Sequence, residues 1–169
     1  MKTLDDVASQ INEYVGLTSA LVEYTAEMNL QLNASPFYNF RDALNHYVKL
    51  YEASKISEDS PDFYGQISSI EEHLFRGLKD MILYISNELK YRIIGYKNNT
   101  SFLSLDKQNE IRIILHKHKN FELNLRKNSE AYITRELLSH IDSLRQLVGE
   151  TFTFFDKNGI NYLKTKRSF

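Results

Sequence analysis

Hydrophobic side chains recur every three or four residues through most of this chain, which is the spacing of one face of an α-helix. The first such stripe predicts a helix over about residues 3–33, with the 3.5-residue period typical of a seam between packed helices. Thr3 can cap the start of this helix. Asp5 and Asp6 lie in its first turn, where the helix dipole stabilises negative charge.

Pro36 interrupts the pattern and, at a first helical position, predicts a second helix that ends near Ile56. The hydrophobic stripe predicted for the buried face of this helix consists of Phe37, Phe40, Leu44, Tyr47 and Tyr51. After a polar turn, a third stripe predicts a helix over about residues 63–89. Gly77 lies beside this stripe, where a residue without a side chain indicates close approach by a neighbouring helix.

Residues 95–104 are rich in Lys, Asn, Thr and Ser and are predicted to form a loop. The periodic stretch over residues 105–148 would make a single helix of about 65 Å, so we expect a break near Asn120 or Asn128. Short connections between these elements predict an all-α, up-and-down bundle of four or five long antiparallel helices.

We assign residues 1–155 to this bundle domain and residues 156–169 to a short basic C-terminal tail. Six Gly and two Pro are too few for most sheet folds and for Gly-rich phosphate loops. Cys is absent, which excludes disulfides, thiolate metal sites and cysteine nucleophiles. A net charge of -1 provides no overall basic field, although it is compatible with a local patch. Without a transmembrane or signal-peptide pattern, we expect a cytoplasmic protein with no membrane association.

The five His residues do not form a metal-binding pattern. None has Glu three positions before it, which argues against the Glu-x-x-His pairs of di-metal bundles. His116 and His118 are about 200° apart around a helix, so we expect them to point to opposite sides and to be solvated or partly buried. We therefore predict no metal and no cofactor.

One short motif stands out near the start of the second helix, where the sequence reads Phe-Arg-Asp-Ala-Leu-Asn-His-Tyr over residues 40–47. Arg41 and His46 have the spacing Arg-x4-His, with a polar residue directly after the Arg. This pattern resembles the signature of the HEPN family, whose members are all-α bundles with an Arg-x4-6-His motif. The resemblance implies metal-independent RNA cleavage by a homodimer whose two sites face each other, in a toxin–antitoxin or phage-defence setting.

The chemistry of RNA cleavage suits these residue types. Attack by a ribose 2′-OH needs a base near neutral pH and a cation that stabilises the phosphate, roles that we assign to His46 and Arg41. Asp42 can hydrogen-bond the imidazole of His46, and Asn45 can contact phosphate or backbone. Since Arg41 and His46 are about 140° apart around the helix, convergence requires the Arg side chain to bend or a second subunit to complete the site.

Two other pairs have a similar spacing, Arg112 with His118 and Arg135 with His140. In many members of the HEPN family the motif lies late in the domain, which favours Arg135 and His140. We prefer the pair in the second helix because both of its members have a polar residue four positions away that can orient them. Two alternatives remain, namely a site formed by Arg135 and His140, or no catalytic site at all.

A second polar cluster lies on the third helix, where His73 and Arg76 share one face. Close approach at Gly77 would bring these groups to His46, and we predict that His73 and Arg76 bind substrate. The alternative is structural, with Glu72 and Arg76 forming an ordinary surface ion pair and His73 a hydrogen-bonded boundary residue.

The sequence is compatible with two functions. The first is a HEPN-like protein that cleaves RNA without metal or is an RNA-associated component of a toxin–antitoxin or phage-defence system, with RNA or an antitoxin-like protein as partner. The second is a non-catalytic helical module for dimerisation or protein interaction. A homodimer is expected because Val15, Val22 and Tyr24 lie beside the seam of the first helix and add more hydrophobic surface than one bundle face hides.

Overall fold

The computed structural model of the protein describes residues 2–31, 34–57, 60–100, 102–127 and 135–160. Five helices lie in these ranges, namely α1 (Leu4–Glu27), α2 (Ser35–Ser54), α3 (Pro61–Asn99), α4 (Leu105–Lys127) and α5 (Arg135–Lys157). These ranges contain no strand, which confirms the predicted all-α bundle and gives it five helices. None of the described helices is long and apolar enough to cross a lipid bilayer.

α3 is the central helix of the bundle, because it contacts each of the other four helices. Ser35 at the start of α2 donates to Asp80, and His46 further along α2 meets Gln66, so α2 runs antiparallel to α3. The buried residues of α3 cover more than a narrow stripe, as expected for a helix surrounded by others. They are Phe63, Ile67, Ile70, Glu71, Leu74, Phe75, Gly77, Leu78, Met81, Ile82, Ile85, Ser86, Leu89 and Ile93.

α1 begins as predicted and ends earlier. Thr3 and Asp6 form a capping box in which the Thr3 hydroxyl accepts from the Asp6 N–H and the Asp6 carboxylate accepts from the Thr3 N–H. The helix ends at Glu27 because the chain turns at Asn29, which adopts a left-handed φ of 49°. The predicted extension of this helix to residue 33 is therefore wrong, since periodicity does not report a left-handed turn.

α3 is longer than predicted. The loop predicted over residues 95–104 begins only after Asn99, because the last turns of the helix are packed against the core. Ile93 is fully buried, and the Tyr96 ring meets the Phe154 ring edge-on with centroids 6.1 Å apart. The polar composition of this segment therefore marks the exposed side of a helix end and not the start of a loop.

The break predicted in the second half of the chain is confirmed, since α4 and α5 are separate helices. The candidate position at Asn120 lies inside α4, and the other candidate, Asn128, lies outside the described residues. α5 ends at Lys157, within the segment predicted as a tail. Residues 161–169 of the predicted basic tail lie outside the described residues.

α2 packs against α3 through a different face from the predicted one. Its buried residues are Pro36, Ala43, Leu50 and Ala53. Of the predicted stripe, Phe37, Leu44 and Tyr51 are exposed, whereas Phe40 and Tyr47 are only partly buried. The small Ala side chains allow α2 to lie close to α3, so the buried face is set by fit and not by the size of the hydrophobic side chains.

Gly77 is a point of close contact among α1, α2 and α3. A Cβ atom at this position would overlap the Tyr14 hydroxyl of α1 and would lie 3.2 Å from Asn39 Cβ of α2. The Tyr14 hydroxyl donates a hydrogen bond of 2.9 Å to the carbonyl of Pro36, and burial raises the pKa of this phenol. The close approach predicted from Gly77 is therefore confirmed.

Replacing Gly77 by Ala should destabilise the protein by about 1–3 kcal/mol, because the new methyl group displaces Tyr14 from a packed position. Gly65 is the matched control, since it lies on an exposed part of α3 with open space around it. Gly65→Ala should stabilise the fold by up to about 1 kcal/mol. Urea unfolding measures both changes, and equal effects of the two substitutions would contradict a contact at Gly77.

A hydrogen-bonded polar network lies inside the bundle between α3, α4 and α5. His118 is fully buried, with Nδ1 2.9 Å from Ser86 Oγ and Nε2 3.0 Å from Thr151 Oγ1. The Ser86 hydroxyl donates to Glu122 at 3.0 Å, and the other Glu122 oxygen accepts from Lys90 at 2.7 Å. These hydrogen bonds offset the cost of burying the polar groups.

Burial, reinforced by the charge of Lys90, lowers the pKa of His118 from 6.5 to about 4. At a pH between these two values, His118 is protonated in the unfolded chain and neutral in the folded chain. The contribution of His118 to stability is therefore complete above pH 6.5 and is lost as the pH falls to 4. This loss should amount to about 3 kcal/mol.

The free energy of unfolding in urea at pH 7 and pH 5 tests this dependence. His118→Gln should be less stable than wild type at pH 7 but should lose less stability on acidification. His116→Gln, which changes an exposed His on the same helix, should keep the wild-type pH dependence. A His118→Gln variant with the wild-type pH dependence would show that this imidazole does not titrate on unfolding.

Candidate functional site

Several of the predicted site residues lie along a polar seam where α2 and α3 meet. His46 of α2 and His73 of α3 are half-buried, and their rings stack with centroids 5.4 Å apart and planes inclined by 24°. Gly77, one turn along α3 from His73, permits this close approach. The prediction that the third helix brings His73 to His46 is therefore confirmed. We call these two residues, together with Gln66 and Asn39, the histidine seam.

Gln66 of α3 determines the orientation of His46. The His46 Nδ1 lies 2.7 Å from Gln66 Oε1, while the Gln66 amide nitrogen donates to Asp62 at 3.3 Å. Because an amide oxygen only accepts hydrogen bonds, His46 carries its hydrogen on Nδ1 in this pair, and Nε2 has a free lone pair when the ring is neutral. Asp42, the partner predicted for His46, does not form this bond and contacts Arg41 instead.

Asn39 of α2 contacts His73 in a similar way. Its amide nitrogen donates to the carbonyl of Ser35 at 3.1 Å, which leaves Asn39 Oδ1 facing His73 Nδ1 at the longer distance of 3.4 Å. Each imidazole is therefore held at Nδ1 by an amide oxygen from the opposite helix. This arrangement orients both rings and leaves both Nε2 atoms without a hydrogen-bond partner in the seam.

The sequence prediction did not include Gln66, Asn39 or Asp62. A pattern for two of them is present in α3, where polar residues recur along one side of the helix at Asp62, Gln66, Ser69, His73, Arg76 and Asp80. No comparable pattern identifies Asn39, because its contact with His73 depends on how α2 is rotated against α3.

Arg41 does not contact His46. Its Nε and Nη2 atoms donate to Asp42 Oδ1 at 3.0 and 2.8 Å, and its guanidinium lies over the Tyr38 ring, 5.5 Å from the centroid. Arg41 and Asn45 are both exposed on α2. Within one subunit, the structure therefore brings His46 to His73 and leaves Arg41 outside the histidine seam.

Arg76 carries positive charge close to the histidine seam. It lies one turn after His73 on α3 and forms an ion pair with Glu72, in which both side chains are more than half exposed. This contact confirms the surface pair considered from the sequence. Exposed pairs of this kind contribute at most about 1 kcal/mol, so a phosphate group can replace Glu72 as the partner of Arg76.

The two other Arg–His pairs differ in their surroundings. Arg112 is exposed on α4, whereas His118 is fully buried in the polar network, so these two residues do not form a site. His140 is partly buried and meets the Phe121 ring edge-on, with centroids 6.3 Å apart. The side chain of Arg135 lies outside the described residues.

His116 and His118 lie on opposite sides of α4, as predicted. His116 is exposed and bonds to Asn120 at 2.9 Å. The prediction of a solvated or partly buried pair is wrong for His118, because α4 packs this residue between Ser86 and Thr151. Ser86 and His118 are both fully buried, so substrate does not reach them. Within the described ranges, no three His, Asp or Glu side chains are placed to share a metal ion.

Comparisons with protein-family models, with curated proteins and with solved structures give no match. The HEPN resemblance stays a prediction that rests on the motif from Arg41 to His46.

The bond to Gln66 determines the expected tautomer of His46. In the neutral ring the hydrogen should reside on Nδ1, and Gln66→Leu should remove this preference and allow the hydrogen to move to Nε2. Nitrogen chemical shifts measured by NMR distinguish the two tautomers. Asp42→Asn is the control and should leave the tautomer unchanged, whereas a change in that variant would support the pairing predicted from the sequence.

Proposed function

We propose that this protein binds RNA at the histidine seam and cleaves it without a metal ion. The observation that supports the proposal is the stacked pair of imidazoles, His46 and His73, each held at Nδ1 by an amide oxygen. An imidazole ring can take up or give up a proton at a ring nitrogen. Two such rings side by side can therefore supply both the base and the acid that phosphodiester cleavage requires.

The proposed reaction consists of two proton transfers around one displacement at phosphorus. Neutral His46 takes the hydrogen of a ribose 2′-OH at Nε2 as the 2′ oxygen forms a bond to the adjacent phosphorus. The bond between phosphorus and the 5′ oxygen breaks, and protonated His73 gives its Nε2 hydrogen to that oxygen. The products are a 2′,3′-cyclic phosphate and a 5′-hydroxyl, with His46 protonated and His73 neutral.

Arg76 is the cation that the geometry offers to the reacting phosphate. It follows His73 by one turn on α3, where its charge can stabilise the negative charge that develops on the phosphate oxygens. Arg41 and Asn45, which the motif predicts in the site, do not contact the histidine seam. In this proposal they take no part in bond cleavage.

The biological setting is a proposal that rests on the HEPN resemblance. The resemblance supports a role in a toxin–antitoxin or phage-defence system, with an antitoxin-like protein as partner and a cytoplasmic location. The residues that carry it are those from Arg41 to His46.

A second function, dimerisation or protein interaction without catalysis, is favoured by a different observation. α2 exposes several large hydrophobic side chains on one face, namely Phe37, Leu44, Val48 and Tyr51. Under this alternative the histidine seam is a structural contact that holds α2 against α3.

Purified protein should cut single-stranded RNA in the presence of a chelator and release cyclic phosphate ends. His46→Ala and His73→Ala should each lower the cleavage rate by at least about 100-fold, because each removes one proton-transfer group. The matched control is His116→Ala, which changes an exposed His outside the seam and should retain the wild-type rate. The rate should show a bell-shaped pH profile, because one imidazole must be neutral and the other protonated.

Two arginine variants distinguish the histidine seam from the motif. Arg76→Ala should slow cleavage more than Arg41→Ala. If Arg41→Ala abolishes cleavage while His73→Ala remains active, the proposed seam mechanism is wrong and the motif is the better account. If the folded protein neither binds nor cuts RNA, the interaction function is favoured.

A further inference from the structure

One face of α2 exposes a continuous row of large hydrophobic side chains. The row consists of Phe37, Leu44, Val48 and Tyr51, which are 42%, 39%, 58% and 52% exposed. Their spacings of seven, four and three residues place them on one side of the helix. We call this row the α2 stripe.

The α2 stripe has no covering element in the described part of the chain. α2 contacts α3 and α1 there, and it contacts neither α4 nor α5. The α3 contact is made by residues on another side of α2, such as Ala43 and Leu50. Hydrophobic rows of this kind on a helix are typical of an interface with a partner.

Two charged residues beside the stripe indicate what the partner is. Arg41 and Glu52 are both exposed and are 11 residues apart, which is about three turns, so they lie on the same flank of the stripe. A two-fold axis between residues 46 and 47 would place a second α2 antiparallel to the first. Each Arg41 would then lie level with the Glu52 of the other copy and would exchange its exposed contact with Asp42 for that carboxylate.

The same symmetry fits the hydrophobic residues. Leu44 and Val48 lie near the middle of the stripe. Leu44 of one copy would therefore pack against Val48 of the other copy across the two-fold axis. Tyr51 would meet the segment around Arg41 of the other copy, and Phe37 would meet the segment around Lys55. The charges along the rim have both signs, which fits a self-complementary surface better than an anionic lipid surface.

We propose that the α2 stripe binds the α2 stripe of a second copy of this chain, in an antiparallel homodimer with Arg41 paired to Glu52 across the interface. This surface differs from the α1 surface expected from the sequence, because the α1 seam residues Tyr14 and Leu21 are buried in the core of their own subunit. The proposal specifies the partner in the interaction function above. Because His46 lies on the other side of α2 from the stripe, the dimer leaves the histidine seam uncovered. The RNA assay therefore tests the proposed cleavage, the mass measurement tests the dimer, and either proposal can be wrong without the other.

The mass of the full-length protein in solution, measured by sedimentation equilibrium over a range of micromolar concentrations, tests the proposal. Wild type should have twice the chain mass of 19.8 kDa. Val48→Lys should give a monomer with an unchanged helix content. Val15→Lys is the matched control, since it places the same charge at an exposed Val on α1, and this variant should remain a dimer.

The proposed contact between Arg41 and Glu52 allows a sharper test by charge reversal. Arg41→Glu and Glu52→Arg should each weaken the dimer by about tenfold or more, because like charges then face each other. An equimolar mixture of the two variants should recover the wild-type affinity as a heterodimer, since opposite charges then meet at both contacts.

Three results would overturn the proposal. The first is a wild-type protein that is monomeric at all concentrations. If that monomer binds anionic vesicles, the stripe is a membrane-binding surface. The second is loss of the dimer in Val15→Lys but not in Val48→Lys, which would place the interface on α1. The third is a mixture of the charge-reversal variants that remains monomeric, which would exclude the antiparallel arrangement.

Discussion

The arrangement of the first three helices depends on the absence of a side chain at position 77. Only a hydrogen atom at this point leaves room for the Tyr14 hydroxyl of α1 and for Asn39 of α2 against the central helix. Because α2 lies this close to α3, the His46 ring stacks on the His73 ring one turn away. The same close contact buries the small side chains of α2 and leaves its larger hydrophobic face outward.

α3 takes part in two polar clusters that differ in exposure. In the buried network, His118 is held between two hydroxyl groups, and burial keeps its imidazole neutral at physiological pH. In the histidine seam, His46 and His73 are half-buried and are each held at one ring nitrogen only. The same residue type therefore stabilises the fold in one place and is a candidate for proton transfer in the other, and the difference lies in solvent access.

The candidate site could be predicted only in part from the sequence. His46 and His73 were identified because the motif and the helical spacing are local patterns, and Gly77 correctly indicated that their helices meet. Asp42 was expected to orient His46 because partners four residues apart on one helix can be derived from spacing. The observed partner, Gln66, belongs to another helix, so spacing along α2 does not identify it, although Gln66 lies on the polar side of α3 that also carries His73.

The sequence by itself determined the all-α fold class, the order of the helices, the cap at Thr3 and the close contact at Gly77, because spacing and turn chemistry depend on neighbouring residues. Only the tertiary structure decided which face of α2 is buried and that His118 lies inside the bundle. α2 carries hydrophobic residues on more than half of its circumference, so two rotations satisfy the same pattern. The choice between them depends on how closely Ala43 fits against α3, a contact between residues far apart in the chain.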